Sequence, residues 1–353
     1  MILKIKMMLL AIDLGMLIEK LILIVVVVSA SLVIAMYTTF AERKVAAILQ
    51  DRRGPNRAGP FGLLQPLADG LKLFFKEEII PAFSSKALFI LGPALAMITA
   101  VMTSAVIPWG DHVELFGRNI SLQIADINIG ILYVFGVVSL GVYGIMIGAW
   151  ASNNKFSLLG GLRAASQIIS YELAMGISLI ALLMVTGTLS LKEMVVQQQA
   201  GHWNVIYQPL GFLIFLICAF AECNRTPFDL PEAENELIGG YHTEYSSMKL
   251  GFYLFSEYIN MFISSVIMAT LFFGGYDMPF VNEANLSPNI AALVGIAALM
   301  AKVICFIFLF MWVRWTIPRF RYDQLMHLGW RILIPLALFN MLATGGVILY
   351  FNK

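Results

Sequence analysis

Long apolar runs separated by short polar segments set the pattern of this chain. Stretches 21–41, 87–110, 127–154, 203–221 and 332–352 contain no Asp, Glu, Lys or Arg. Three more carry a single ionisable residue each: 164–191 with Glu172, 250–276 with Glu257 and 284–313 with Lys302. About 20 apolar residues cross a hydrocarbon core of roughly 30 Å. The pattern therefore predicts an all-α polytopic membrane protein with eight transmembrane helices. Their expected bounds are about 17–41, 87–109, 127–152, 164–188, 205–222, 250–275, 288–314 and 331–352, within one integral membrane domain spanning 1–353. Loops 42–86, 153–163, 223–249 and 315–330 then share one side, and the even number puts both termini on the other. The first run is too long for a cleaved signal peptide and lacks an A-x-A-like site after it. The residues before it, up to about Lys20, read as an amphipathic lead-in.

Loop 42–86 has its own pattern. Segment 51–60, DRRGPNRAGP, is a Gly/Pro-punctuated turn region. After it Leu63, Leu67, Leu71 and Phe74 recur at helical spacing, with Asp69, Lys72 and Lys76 on the opposite face. A helix this short and charged belongs in the membrane interface with its apolar face in lipid; packing on the protein itself is the alternative.

Composition confirms the class. Of 353 residues 59% are hydrophobic and 13% charged, with mean hydropathy +0.82, against about 25% charged in soluble domains. The net charge of +1 removes nucleic acid as a partner, since phosphate binding needs a strongly basic face. Charge is placed unevenly, however. With flanking Arg314 and Arg331 included, the odd-numbered loops hold 16 Lys/Arg and the even-numbered loops 2. By the positive-inside rule the odd loops are cytoplasmic and the termini lie outside.

Candidate chemistry is narrow. No phosphate-binding glycine motif, repeat or metal-ligand spacing occurs. Cys218, Cys223 and Cys305 read as buried thiols, and His112, His202, His242 and His327 fall outside the expected spans. The chain is expected to bind no metal and no redox cofactor. What remains is charge in or near the membrane, costly and therefore a functional candidate: Glu172, Glu257 and Lys302. Beside them, segment 222–236 holds Glu222, Asp229, Glu232, Glu234 and Glu236 with Arg225 as its sole base, and Glu244 follows. Set between apolar, Pro-rich flanks and facing the basic first loop, it predicts a buried or half-buried acidic cluster suited to proton conduction, partner docking or a polar headgroup.

The same segments resemble a known family. GLLQPLADGLKLFFKE at 62–77 and PFDLPEAENELIGG at 227–240 are similar to two signatures of the H subunit of the proton-translocating NADH:quinone oxidoreductases (respiratory complex I), whose mitochondrial counterpart is subunit 1. AERK at 41–44, GGLR at 160–163 leading to SYE at 170–172, and PRFRYDQLMH at 318–327 also match. The resemblance implies a translocase subunit of the inner membrane without a redox cofactor of its own. NADH, FMN and iron–sulfur clusters would belong to partner subunits, and quinone would be the substrate. Implied partners are the hydrophilic quinone-reducing arm on the cytoplasmic face, small membrane subunits and antiporter-like pumping subunits. It further implies that the first span, the loop helix and the sixth span frame a quinone portal. Glu42, Arg43, Arg52, Asp69 and Phe228 would line the channel. Glu172, Glu222, Arg225, Asp229, Glu232, Glu234, Glu236, Glu244, Glu257 and Lys302 would carry proton coupling. An anchor subunit of a related membrane-bound hydrogenase or other donor-specific dehydrogenase, and a free-standing ion transporter, remain open alternatives.

Overall fold

The computed structural model describes residues 14–115, 118–278 and 287–351, apart from the side chains of Leu14, Met16, Leu115 and Glu234. Its helices are α1 (Leu14–Leu49), α2 (Gln65–Phe75), α3 (Lys86–Met102), α4 (Gly130–Ala151), α5 (Lys155–Thr186), α6 (Leu191–Ala200), α7 (Asn204–Tyr207), α8 (Pro209–Glu222), α9 (Glu234–Leu237), α10 (Ser247–Phe272), α11 (Pro288–Thr316), α12 (Tyr322–His327) and α13 (Ile334–Phe351). A π-helical stretch, Leu328–Leu333, joins the last two into one continuous rod. Antiparallel strands β1 (His112–Leu115) and β2 (Arg118–Ser121) form a hairpin in the second loop, with His112 opposite Ser121. The hairpin was not legible as a strand pair. Asn289 at the start of α11 latches it, accepting from Glu114 N at 2.8 Å and donating to Glu114 O at 3.1 Å.

Among the described residues seven helices are long and apolar enough to cross a membrane. This is a multi-pass, all-α membrane protein. The expected fifth span is shorter: α8 has 14 residues, about 21 Å at 1.5 Å per residue. It starts abruptly because the chain breaks at Gln208. There the side-chain amide donates to Thr344 Oγ1 at 2.7 Å and accepts from Asn340 at 2.9 Å. Residues 284–286 of the seventh apolar run, and residues 1–13 of the lead-in, lie outside the described residues; 14–20 are already part of α1.

Three boundaries differ, two of them because a charge that ends an apolar run need not end a helix if it is paired. α1 continues through Glu42, Arg43 and Lys44 to Leu49. α5 starts at Lys155, capped by the Asn154 side chain accepting from Phe156 N at 2.9 Å, and so takes in Arg163. Glu172 therefore stands near the middle of its helix. The final rod starts at Tyr322, which puts His327 on a membrane-length helix, contrary to expectation. Cys305 also departs from its reading. It is exposed on the outward side of α11, while Cys218 and Cys223 are buried.

α10 is the central helix, buried along most of its length, whereas α1 and α13 face outward. α3 and α4 meet across small residues. A Cβ on Gly92 would lie 2.7 Å from Gly148 Cα, and one on Gly144 would lie 2.9 Å from Gly92 O, so only glycine allows this approach. α2 rests against α1 and α10. Leu67, Leu71 and Phe74 of α2 are exposed, so its apolar face is not packed on the protein. Ser247 Oγ donates to Leu73 O at 3.1 Å, and Lys249 pairs with Glu78, tying this helix to the start of α10.

Candidate functional site

The segment after α8 turns back into the bundle. Asn224 adopts a left-handed φ of 49°, which a short polar side chain tolerates, and Gln167 of α5 holds the turn from below. The fully buried Gln167 amide donates to Ala221 O at 2.9 Å, Phe228 O at 2.8 Å and Asn224 Oδ1 at 3.3 Å. The turn delivers Arg225, only 6% exposed, to the junction of α1 and α10. Its guanidinium lies 3.7 Å from Glu42 Oε2 and 3.8 Å from Glu257 Oε2, and 4.1 Å from the centre of the Tyr258 ring. The first two separations are ion pairs, too long for hydrogen bonds. Tyr258 Oη donates to Glu42 Oε2 at 2.9 Å, Arg314 of α11 pairs with Glu42 Oε1, and Tyr241 Oη donates to Glu257 Oε1 at 2.9 Å. The guanidinium's positive charge is favoured by Tyr258, Glu42, Glu257 and Glu232, which together outweigh the burial that opposes it.

Around this core four further acids each find a partner. Asp229 pairs with Arg319 at 2.8 Å, Glu232 with His242 at 3.3 Å and Glu236 with Arg163 at 2.7 Å; Glu244 accepts from Asn154 at 2.6 Å. Burial, then the charge of Glu232, pushes Asp229 up to about 7 against the pull of Arg319, Arg314 and Arg225. Glu232 moves the other way. Burial would raise it, but the His242 hydrogen bond and charge, with Arg225 and Arg314, hold it below the usual carboxylate range. Burial, reinforced by Glu257 and Glu232, raises the Tyr241 phenol and keeps it protonated.

Asp229 of the acidic cluster is buried and Glu222, Glu232 and Glu244 are half-buried, while Glu236 is exposed; the counter-charges are not those of the first loop. Arg43 pairs with Asp69 at 2.6 Å in the open, where Gln65 also donates to Asp69 at 3.1 Å. Arg52 donates to Gln50 at 2.7 Å, equally exposed. Phe228 is buried between Tyr171 and Phe320, with ring centres 5.3 and 5.5 Å away. The side chain of Glu234 lies outside the described residues.

Two small cavities extend inward from the cluster. One, of about 30 Å³, is lined by Glu222, Asn224, Tyr241, Ser256, Glu257 and Asn260. The other, of about 40 Å³, shares Glu222 and Asn260 and runs on between apolar side chains. Each has room for water, which needs roughly 10–15 Å³. Glu222 Oε2 is buried without a hydrogen-bond partner among the described residues. Glu172 accepts from Ser139 of α4. Lys302 lies apart, bonded to backbone carbonyls at the far end of α10. No group of His, Cys, Asp or Glu able to hold a metal ion occurs among the described residues.

Comparison with known proteins matches residues 21–345 to the family described as NADH dehydrogenase. The chain belongs to the NADH dehydrogenase family. It is 66% identical over 335 residues to the NADH-quinone oxidoreductase H subunit 1 of Cytophaga hutchinsonii, covering 95% of this chain and 98% of that protein. It is 67% identical over 342 residues to the NADH-quinone oxidoreductase H subunit of Flavobacterium psychrophilum, covering 96% and 100%. The H subunit of Flavobacterium johnsoniae is likewise 67% identical over 334 residues, covering 94% and 95%. The family expected from the two signatures is the family found.

Within this NADH dehydrogenase family member, several site residues were not singled out from sequence. Gln167 is a polar residue in an apolar span, a signal overlooked because it is uncharged. Tyr258 and Tyr241 looked like ordinary aromatic residues. Arg314 and Arg319 served only to set orientation, although they neutralise Glu42 and Asp229.

Proposed function

We propose that this chain is the membrane subunit of an NADH:quinone oxidoreductase that gives quinone access to its reduction site and couples its reduction to proton translocation. The observation that carries the reading is Arg225, buried between Glu42 and Glu257. It joins α1 and α10, the two membrane helices against which the interfacial helix α2 rests. Quinone has an apolar tail that needs a lipid-facing entry and a polar head that needs proton donors at its end. The exposed apolar face of α2 supports the first role, with the Arg43–Asp69 pair on its polar side and Arg52 in the turn that follows α1. Glu42, at the inner edge, supports the second, with Phe228 on the acidic segment behind it.

Reduction of quinone to quinol takes up two protons. Closely spaced acids respond to such a change as a coupled group rather than singly. In this reading Asp229, Glu232, Glu234, Glu236 and Glu244 with Arg225 sense the headgroup, and Glu222 and Glu257, which line the cavities, carry the change on to Glu172 and toward pumping partners. The hydrophilic arm carrying NADH, FMN and iron–sulfur clusters docks on the side of the odd loops, and the termini lie on the outer side of the inner membrane. The test is Glu257→Gln in the assembled complex, which keeps the hydrogen bond from Tyr241 and removes the charge. Protons moved per electron should fall well below wild type. Unchanged quinone reduction together with unchanged pumping would remove Glu257 from the coupling role.

A further inference from the structure

α10 bears both Glu257 and Tyr258, and its far end is gripped with unusual completeness. The helix stops at Phe272, and Gly274 and Gly275 follow at φ of 73° and 55°, backbone open chiefly to glycine. This turn presents the carbonyls of Phe273, Gly275 and Asp277 to one point. Lys302 of α11 occupies that point, donating to the three oxygens at 2.7, 2.8 and 2.6 Å. An ammonium has three protons to donate, and all are used. The negative end of the helix dipole favours the cation there, and the Trp203 ring centre lies 5.0 Å away. Trp203 Nε1 in turn donates to Asp277 Oδ2 at 3.1 Å. Neighbouring groups finish the cap: Gln198 donates to Thr270 O at 3.0 Å and accepts from Gly274 N at 2.9 Å, and Asn204 donates to Leu271 O at 2.8 Å.

We propose that Lys302 is a positioning residue, a tethered cation in a cradle of three carbonyls that fixes the axial setting of α10 and thereby the placement of Glu257 against Arg225. This rests on the reading that the Glu42–Arg225–Glu257 cluster serves quinone chemistry. A relay lysine must pass its proton to a neighbour that can keep it. Backbone carbonyls cannot, and none of the three ammonium hydrogen bonds goes to a carboxylate. A helix, by contrast, transmits position well. Glu257 stands about 24 Å along α10 from the cradle at 1.5 Å per residue, and its own ion pair tolerates little slippage.

The experiment uses the assembled complex in lipid, with Lys302→Ala, Lys302→Arg and Lys302→Ala supplemented with propylammonium. Four quantities are read: hydrogen exchange of the amides at 269–277, KM for quinone, kcat, and protons moved per electron. Loss of charge-assisted hydrogen bonds should speed exchange roughly tenfold. KM should rise with kcat and protons per electron near wild type, and Lys302→Arg or propylammonium should restore both exchange and KM. A fall in protons per electron with exchange and KM unchanged would make Lys302 a proton carrier and overturn the proposal. So would faster exchange with unchanged KM, because the grip would then not position the cluster. Should Lys302→Ala fail to assemble, Gln198→Leu loosens the same helix end and must give the same two changes; wild-type values would overturn the proposal equally. A wild-type complex unable to reduce quinone would instead remove the proposed function, and the exchange data would still decide the tether.

Discussion

The Arg225 guanidinium lies over the Tyr258 ring, 4.1 Å from its centre, and the Tyr258 hydroxyl meets the carboxylate of Glu42, to which Arg225 is also paired. One aromatic side chain thus serves as the floor for the cation and as a donor to its anion. This makes Arg225 hard to replace. Removing one partner of a buried ion pair costs about 3–5 kcal/mol because the other charge is left uncompensated. Arg225→Met should therefore lower the thermal midpoint of the purified complex markedly. Arg225→Lys keeps the charge but loses the planar stack and should fall between Arg225→Met and wild type.

The exposed pair provides the contrast. Arg43 and Asp69 are closer together than Arg225 and Glu42, yet Arg43 is half exposed. Surface pairs are worth no more than about 1 kcal/mol. Arg43→Met should leave the thermal midpoint nearly unchanged, and a loss comparable to that of Arg225→Met would show that burial does not rank these sites.

Asp229 gives a pH dependence with a definite sign. Its carboxyl is raised to about 7 in the folded chain, against about 3.9 for an unperturbed Asp. A raised acid contributes stability that is fully present below the unfolded value and is lost as pH rises through the folded one. Asp229→Asn cannot ionise, so its thermal midpoint should decline less between pH 5 and 8 than that of wild type. Parallel curves for the two proteins would contradict the assignment.

Gln167 holds the acidic segment by its backbone. Gln167→Leu leaves buried carbonyls of Ala221 and Phe228 without this donor, at about 1–3 kcal/mol for each unsatisfied group. The expected result is a lower thermal midpoint together with slower quinone reduction, measured on the same preparation. A variant with wild-type turnover would show that the turn keeps its form without the amide.

Gly148 tests the packing of α4 against α10 and the segment that leads into it. A Cβ there would collide with the Tyr253 hydroxyl and lie 2.8 Å from that of Tyr245. Overpacking of this kind costs typically 1–3 kcal/mol, so Gly148→Ala should lower the thermal midpoint while Gly136→Ala, in open space, should not.

What was legible in the sequence followed the cost of charge in lipid. Glu172, Glu257 and Lys302 stood out because each interrupts an apolar run, and the acidic segment stood out by density. Pairing was not legible, because it joins residues far apart in the chain: Arg163 looked like the end of a loop until Glu236 was found beside it. Helix limits at Leu49 and Lys155 were missed for the same reason. Lys302 shows the converse. Its position in a span was plain, but its partners are backbone carbonyls, which carry no sequence signal at all.

The distances along the chain within the central cluster also order its making. Glu42 enters the membrane with the first helix, while Tyr258 and Arg314 follow it by 216 and 272 residues. Synthesis runs from the N-terminus, so this carboxylate is inserted long before the groups that will satisfy it exist. The cluster can close only once α11 has emerged. Chains truncated before Arg314 would carry an open charge inside the bilayer, a ready mark for membrane quality control to distinguish unfinished subunits from finished ones.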